Sequence, residues 1–133
     1  MKDKIDTQHA PSAIGPYSQA IRFGKLIFTS GQLPLMPETM QFPAGGIREQ
    51  TRQSLQNVKT ILESTGAGMD TIIKTTCFLA DMSHFTEFNE EYTTFFPSDV
   101  PPARSCVEVA KLPKDALVEV EVVAYIDESR LNA

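Results

Sequence analysis

A chain of 133 residues with 41% apolar and 22% charged side chains has the length and composition of one compact domain, which buries roughly two-thirds of its unfolded surface. No run approaches the roughly 18 apolar residues of a membrane span. A net charge of −5, with Lys and Arg scattered singly, disfavours nucleic acid as a partner.

The N-terminal Met1-Lys2-Asp3-Lys4-Ile5-Asp6 has neither the apolar stretch of a secretory signal nor the acid-poor character of a transit peptide, so a cytoplasmic location is expected. Tyr17 to Phe23 and Leu26 to Ser30 are β-rich runs around Gly24-Lys25, a two-residue loop suited to a type II′ hairpin. Gly31 to Gly46 carries Pro34, Pro37, Pro43 and a glycine pair, which exclude regular structure across a loop long enough to cover a site.

From Ile47 the positions Ile47, Thr51, Leu55, Val58 and Leu62 step by three or four, which predicts a helix stopped at Gly66. Ile72 to Ala80 reads as a buried strand. Asp81 or Ser83 then caps a second helix with Met82, Phe85, Phe88, Tyr92 and Phe95 inward, ended by Pro97. Alternation returns in Ala103 to Ala110 and Val118 to Ala124, around a polar turn containing Pro113. The order strand, strand, helix, strand, helix, strand, strand predicts an α+β fold: a single domain over residues 1–133, mostly antiparallel, with both helices on one face.

Cys77 and Cys106 lie in strand-like segments and read as reduced thiols. His9 and His84 stand far apart, and no spacing suits a metal, so none is expected. Because side chains alternate along a strand, Arg104, Cys106 and Glu108 share one face, and Glu119 and Glu121 leave the core side of the last strand together. Arginine's planar fork binds carboxylates, and a glutamate can orient or deprotonate water. Arg104 with Glu119 is therefore a chemically sensible pair for binding a carboxylate and handling a water, and an ion pair of Arg104 with Glu108 or Glu121 is the structural alternative that the residues leave equally open. A hairpin about Lys111 to Ala116 would set Arg104 opposite Val123 and Glu108 opposite Glu119, leaving Arg104 and Glu119 roughly 13 Å apart. Either the two strands are not paired in this way, or a site holding both residues forms between subunits; the second is the expectation carried forward.

The run Pro102-Ala103-Arg104-Ser105-Cys106-Val107-Glu108-Val109-Ala110-Lys111-Leu112-Pro113-Lys114-Asp115, followed by Val118-Glu119-Val120, closely resembles the signature of the Rid/YjgF family of reactive intermediate deaminases, also described as endoribonuclease L-PSP proteins. The likeness extends to Ala13-Ile14-Gly15-Pro16-Tyr17-Ser18-Gln19, Thr29-Ser30-Gly31-Gln32-Leu33-Pro34, Leu55-Gln56-Asn57-Val58-Lys59 and Phe88-Asn89-Glu90-Glu91-Tyr92. Val120 replaces the Ile or Met usual in the signature and keeps an apolar inward residue. The resemblance implies a chorismate-mutase-like α+β fold, homotrimers with sites between subunits, and hydrolysis of 2-imino acids such as 2-iminobutanoate and 2-iminopropanoate to 2-oxo acids and ammonia, with no cofactor. It assigns the substrate carboxylate to Arg104, the attacking water to Glu119, neighbouring backbone donors to Gly31 and Cys106, and the cleft lining to Tyr17, Ser30 and Asn89. Cys106 beside Arg104 is expected to have its pKa lowered by that charge, but no neighbouring base makes it a nucleophile. The alternatives are an endoribonuclease and translation inhibitor, or a non-catalytic module that binds 2-oxo acids.

Overall fold

The computed structural model of the chain describes residues 1–132. Strands β1 (Asp3–Ile5), β2 (Ala20–Phe23), β3 (Leu26–Thr29), β4 (Ile72–Leu79), β5 (Ala103–Glu108) and β6 (Val118–Tyr125) form one sheet in the order β1-β2-β3-β6-β4-β5. Helices α1 (Ile47–Glu63) and α2 (Phe85–Thr93) complete the mixed α+β domain that the sequence predicts. Every neighbouring pair is antiparallel except β4 and β5, which run parallel through the α2 crossover.

β2 and β3 turn at Gly24, whose φ of +62° is the conformation a type II′ loop requires at its first central position. β1 is an addition to the predicted elements. Its charged Asp3 and Lys4 show no alternation of their own, and it exists because β2 offers a free edge to pair with.

α1 begins where Glu49 accepts the Gly46 N–H at 2.8 Å, and it buries Leu55, Val58, Ile61 and Leu62 against the sheet. Its buried face also contains polar side chains. Ser54 Oγ donates to the Gln32 carbonyl at 2.8 Å, and Asn57 Nδ2 donates to the carbonyls of Leu33 and Leu35 at 3.1 and 2.9 Å. The proline-rich loop after β3 is therefore held from beneath, with its backbone groups satisfied by one helix.

α2 is shorter than the aromatic spacing suggests. Asp81 accepts from Ser83 N at 2.9 Å and caps a 3-10 turn, Met82–His84, and the α-helix proper ends at Thr93, before Pro97. Phe88 and Tyr92 are buried in the core as predicted, Phe85 and Phe95 are half-buried, and Met82 is exposed.

The expected hairpin between the last two strands does not form. β5 pairs with β4, Thr75 opposite Arg104, and β6 pairs with the other edge of β4, Phe78 opposite Glu119. The 109–117 connection instead crosses the end of β4, where Val109 N donates to the Leu79 carbonyl at 2.9 Å and Ala80 N to the Leu117 carbonyl at 3.1 Å. Alternation specifies which face a side chain takes but not which strand lies alongside, so the pairing was invisible in the sequence.

Candidate functional site

The true register separates Arg104 and Glu119 in a different way from the hairpin. Thr75, Cys77 and Leu79 face the helices together with Val118, Val120 and Val122, and Arg104 and Cys106 share that side through their pairing with Thr75 and Cys77. Glu119 pairs with Phe78, one residue out of phase, and so leaves the opposite, open face of the sheet. Within one chain the two residues belong to two separate clusters.

The first cluster is built by α2. Phe85, Asn89 and Tyr92 stand at i, i+4 and i+7 on one side of the helix. The Arg104 guanidinium lies 4.7 Å from the Tyr92 ring centroid and 5.5 Å from that of Phe85, and it donates to Asn89 Oδ1 at 2.6 Å. Tyr92 is fixed in turn by its hydroxyl, 2.9 Å from Thr75 Oγ1. Among the described residues Arg104 has no carboxylate partner. Glu108, the candidate for a structural ion pair, instead accepts the Met82 N–H at 2.7 Å. Asn89 is thus the arginine's orienting partner. Most of the fork's five donors remain free for a ligand.

Cys106 lies on the same face, next to Cys77 across the β4–β5 ladder. Its thiol pKa is raised, not lowered: burial outweighs the opposing pull of the Arg104 charge. Burial pushes Cys77 further, up to about 12. Neither thiol has the electropositive, open setting of a nucleophile.

The second cluster surrounds a cavity of about 420 Å³ whose lining includes Tyr17, Ser30, Gly31 and Glu119. Pro11, Ile14, Leu33 and Leu35 make much of its wall apolar. Ser30 Oγ donates to the Ser18 carbonyl at 2.6 Å, tying the turn after β3 to the segment that carries Tyr17. Beyond β3 the chain rejoins β6 as a single bridge, Gln32 to Val120, with one residue inserted relative to the Phe28–Val123 register. Gly31 occupies that irregularity. A Cβ on Gly31 would stand 2.8 Å from Glu119 Cδ, so the glycine leaves the room that the glutamate occupies. The half-buried Glu119 carboxyl has its pKa raised, first by burial and then by the charge of Glu121.

Of the seven residues singled out in the sequence, the structure groups Arg104, Asn89 and Cys106 in one place and Tyr17, Ser30, Gly31 and Glu119 in another. Sequence reasoning took Phe85 and Tyr92 as packing alone. The signal that links them to Arg104 is the single polar Asn89 set into the aromatic stripe at helical spacing. The cavity wall from Pro11, Leu33 and Leu35 has no such signal, because irregular segments have no period to read.

Fold and clusters together define an α+β domain with an arginine anchor on one sheet face and an acidic, partly apolar cavity on the other. Residues 7–126 match the family model described as Endoribonuclease L-PSP. The chain is 48% identical to a RutC family protein of Pyrococcus horikoshii over 94% of its own length and 98% of that protein's. It is likewise 48% identical to the 2-iminobutanoate/2-iminopropanoate deaminase of Escherichia coli K12, over 93% of this chain and 98% of that one. The crystal structure of E. coli TdcF with bound serine matches with a TM-score of 0.89 at 45% identity, covering 94% of this chain and 99% of that one. This chain belongs to the Endoribonuclease L-PSP family, the same Rid/YjgF family that its motifs resemble.

Proposed function

We propose that this protein hydrolyses small 2-imino acids, 2-iminobutanoate and 2-iminopropanoate, to 2-oxo acids and ammonia, in clefts between the subunits of a homotrimer. The observation that carries this reading is the division of the chemistry. An arginine preset on Asn89 and Tyr92 with its fork free is on one face, and a half-buried carboxyl beside a cavity is on the other. Neither cluster alone both binds a carboxylate and handles a water.

A second copy supplies what is missing. The open face carries Phe23, Phe28, Val107 and Tyr125, all between 43% and 59% exposed. An apolar sheet face of this kind favours burial against another subunit. Docking it there brings the edge strand of one copy, with Arg104, towards the Glu119 cavity of the next.

In such a cleft Arg104 holds the substrate carboxylate in a bidentate grip and fixes the imine carbon. Glu119 takes a proton from the water as its oxygen bonds to that carbon, giving a carbinolamine. The same proton passes to the nitrogen, Glu119 takes up the carbinolamine hydroxyl proton as ammonia leaves and the carbonyl forms, and that proton departs with ammonia as ammonium. A protonated imine is already electrophilic, so the acceleration asked of the protein is modest. The raised pKa of Glu119 suits a group that both accepts and returns a proton.

The test generates 2-iminobutanoate in place from threonine and a dehydratase and measures ammonia release with wild type, Arg104→Ala and Glu119→Ala. Acceleration by wild type that both variants lose is the expected result; no acceleration by wild type removes the reading. Tight 2-oxobutanoate binding without turnover would identify a sensing module instead.

A further inference from the structure

The cavity wall that faces Glu119 includes part of a strap, residues 6–18, with no regular helix or strand. The strap contributes Pro11, Ser12, Ile14 and Tyr17 to the 420 Å³ cavity, and a second cavity of about 300 Å³ borders it at Ser12, Ala13, Gly15 and Tyr17. Ile14 and Tyr17 are themselves largely exposed. Ala10 is packed in the core and Pro11 is buried, whereas the stretch from Ser12 to Tyr17 is bordered by space, so polar tethers at its base help to set its position.

Those tethers converge on one side chain. Gln19 is 3% exposed. Its Oε1 accepts the Thr7 N–H at 2.7 Å, and its Nε2 lies 3.1 Å from the Thr7 carbonyl, 2.8 Å from that of Pro11 and 3.4 Å from that of Ala10. The Gln19 backbone carbonyl accepts the Ser30 N–H at 2.9 Å. One residue therefore binds the strap on one side and the turn beside Gly31 on the other. An apolar side chain of the same length would strand these backbone groups, and a carboxylate would face three carbonyl oxygens without a donor.

Resting on the function proposed above, we propose that Gln19 is the positioning residue of the cavity: its buried amide fixes the strap against the Ser30–Gly31 turn, and the width so set selects which aliphatic side chains of 2-imino and 2-oxo acids enter beside Glu119. The apolar wall of Pro11, Ile14, Leu33 and Leu35 defines the side chain as aliphatic. Gln19 acts through the strap and not on the reacting atoms.

The experiment titrates the full-length protein with 2-oxobutanoate and with 4-methyl-2-oxopentanoate, in wild type, Gln19→Met and Gln19→Glu, and follows amide hydrogen exchange at Thr7. In Gln19→Met, which removes the acceptor of the Thr7 N–H, Thr7 exchange is expected to accelerate, and in both variants the ratio of the two affinities is expected to shift by roughly fivefold or more, the effect of losing about one net hydrogen bond. A purely structural residue would lower the melting temperature and leave the ratio unchanged. A ratio within twofold of wild type in Gln19→Met while Thr7 exchange has risen overturns the proposal, as does unchanged Thr7 exchange in that variant. Should Gln19→Met fail to fold, Gln19→Glu is titrated across pH. Protonation returns one donor, so the ratio must move towards the wild-type value on acidification, and a flat ratio overturns the proposal. Failure of wild type to hydrolyse the imine removes the deaminase reading and leaves these binding ratios standing. Failure of wild type to bind either 2-oxo acid overturns the Gln19 proposal, while the deaminase reading is decided by ammonia release alone.

Discussion

Arg104 donates to Asn89 Oδ1 at 2.6 Å while its guanidinium rests against the Tyr92 ring, so the helix α2 sets the direction in which the arginine presents its remaining donors. An unrestrained arginine loses rotamer freedom when it binds a ligand, and one already held loses less.

Replacing Asn89 with Ala should therefore weaken carboxylate binding while leaving the chemical step intact. KM for the imine is expected to rise roughly three- to tenfold, in line with one hydrogen bond to a charged group, with kcat changed by less than that. Steady-state kinetics of Asn89→Ala check this; an equal fall in kcat and kcat/KM would show that Asn89 acts in the transition state.

Glu119 carries a pH dependence whose sign follows from its raised pKa. The folded state holds the proton more tightly than the unfolded chain. Its stabilising contribution is thus complete below the unfolded carboxyl pKa and is lost as pH rises through the folded one. Glu119→Gln should raise the melting temperature at neutral pH, with the gain vanishing in acid, where both side chains are neutral. Thermal unfolding of both proteins across pH measures it. In wild type the activity should rise with pH along a limb displaced above the ordinary glutamate range.

The placement of Arg104 and Glu119 on opposite sheet faces makes complementation a direct test of an assembled cleft. Arg104→Ala and Glu119→Ala, each inactive alone, should recover part of the wild-type rate when unfolded and refolded together, because mixed assemblies contain some clefts with both residues intact. Absence of recovery in demonstrably mixed assemblies would locate the two residues' roles within one subunit.

The thiols should be slow. With Cys77 buried and its pKa pushed up to about 12, and Cys106 also raised, a disulfide reagent at neutral pH should titrate at most Cys106 in the native protein. Cys77 should appear only on unfolding. A fast-reacting Cys106 would mean that the Arg104 charge dominates its setting after all.

Much of the fold was legible in the sequence, for reasons that differ by element. The period of Leu55, Val58 and Leu62 defined α1, and Gly24 announced the β2–β3 turn, because a helical face and a positive φ each demand particular residues. β1 was not legible: Asp3 and Lys4 owe their strand conformation to a neighbour's free edge. The width of α1's buried face was likewise hidden. The apolar period does not include Ser54 and Asn57, whose burial comes from the loop carbonyls they satisfy.

The residues singled out in the sequence fall into two clusters in the structure, a grouping that the sequence did not show. The motif around Arg104 and Glu119 belongs to the primary sequence, and so do the family and the chemistry that its residue types suit. Only the tertiary structure decided that β4 lies between their strands, that one side chain points to the helices and the other to the open face, and that Asn89 aims the arginine. Side-chain alternation is a property of a single strand, whereas neighbour, register and opposing face are set by how the connections cross the sheet.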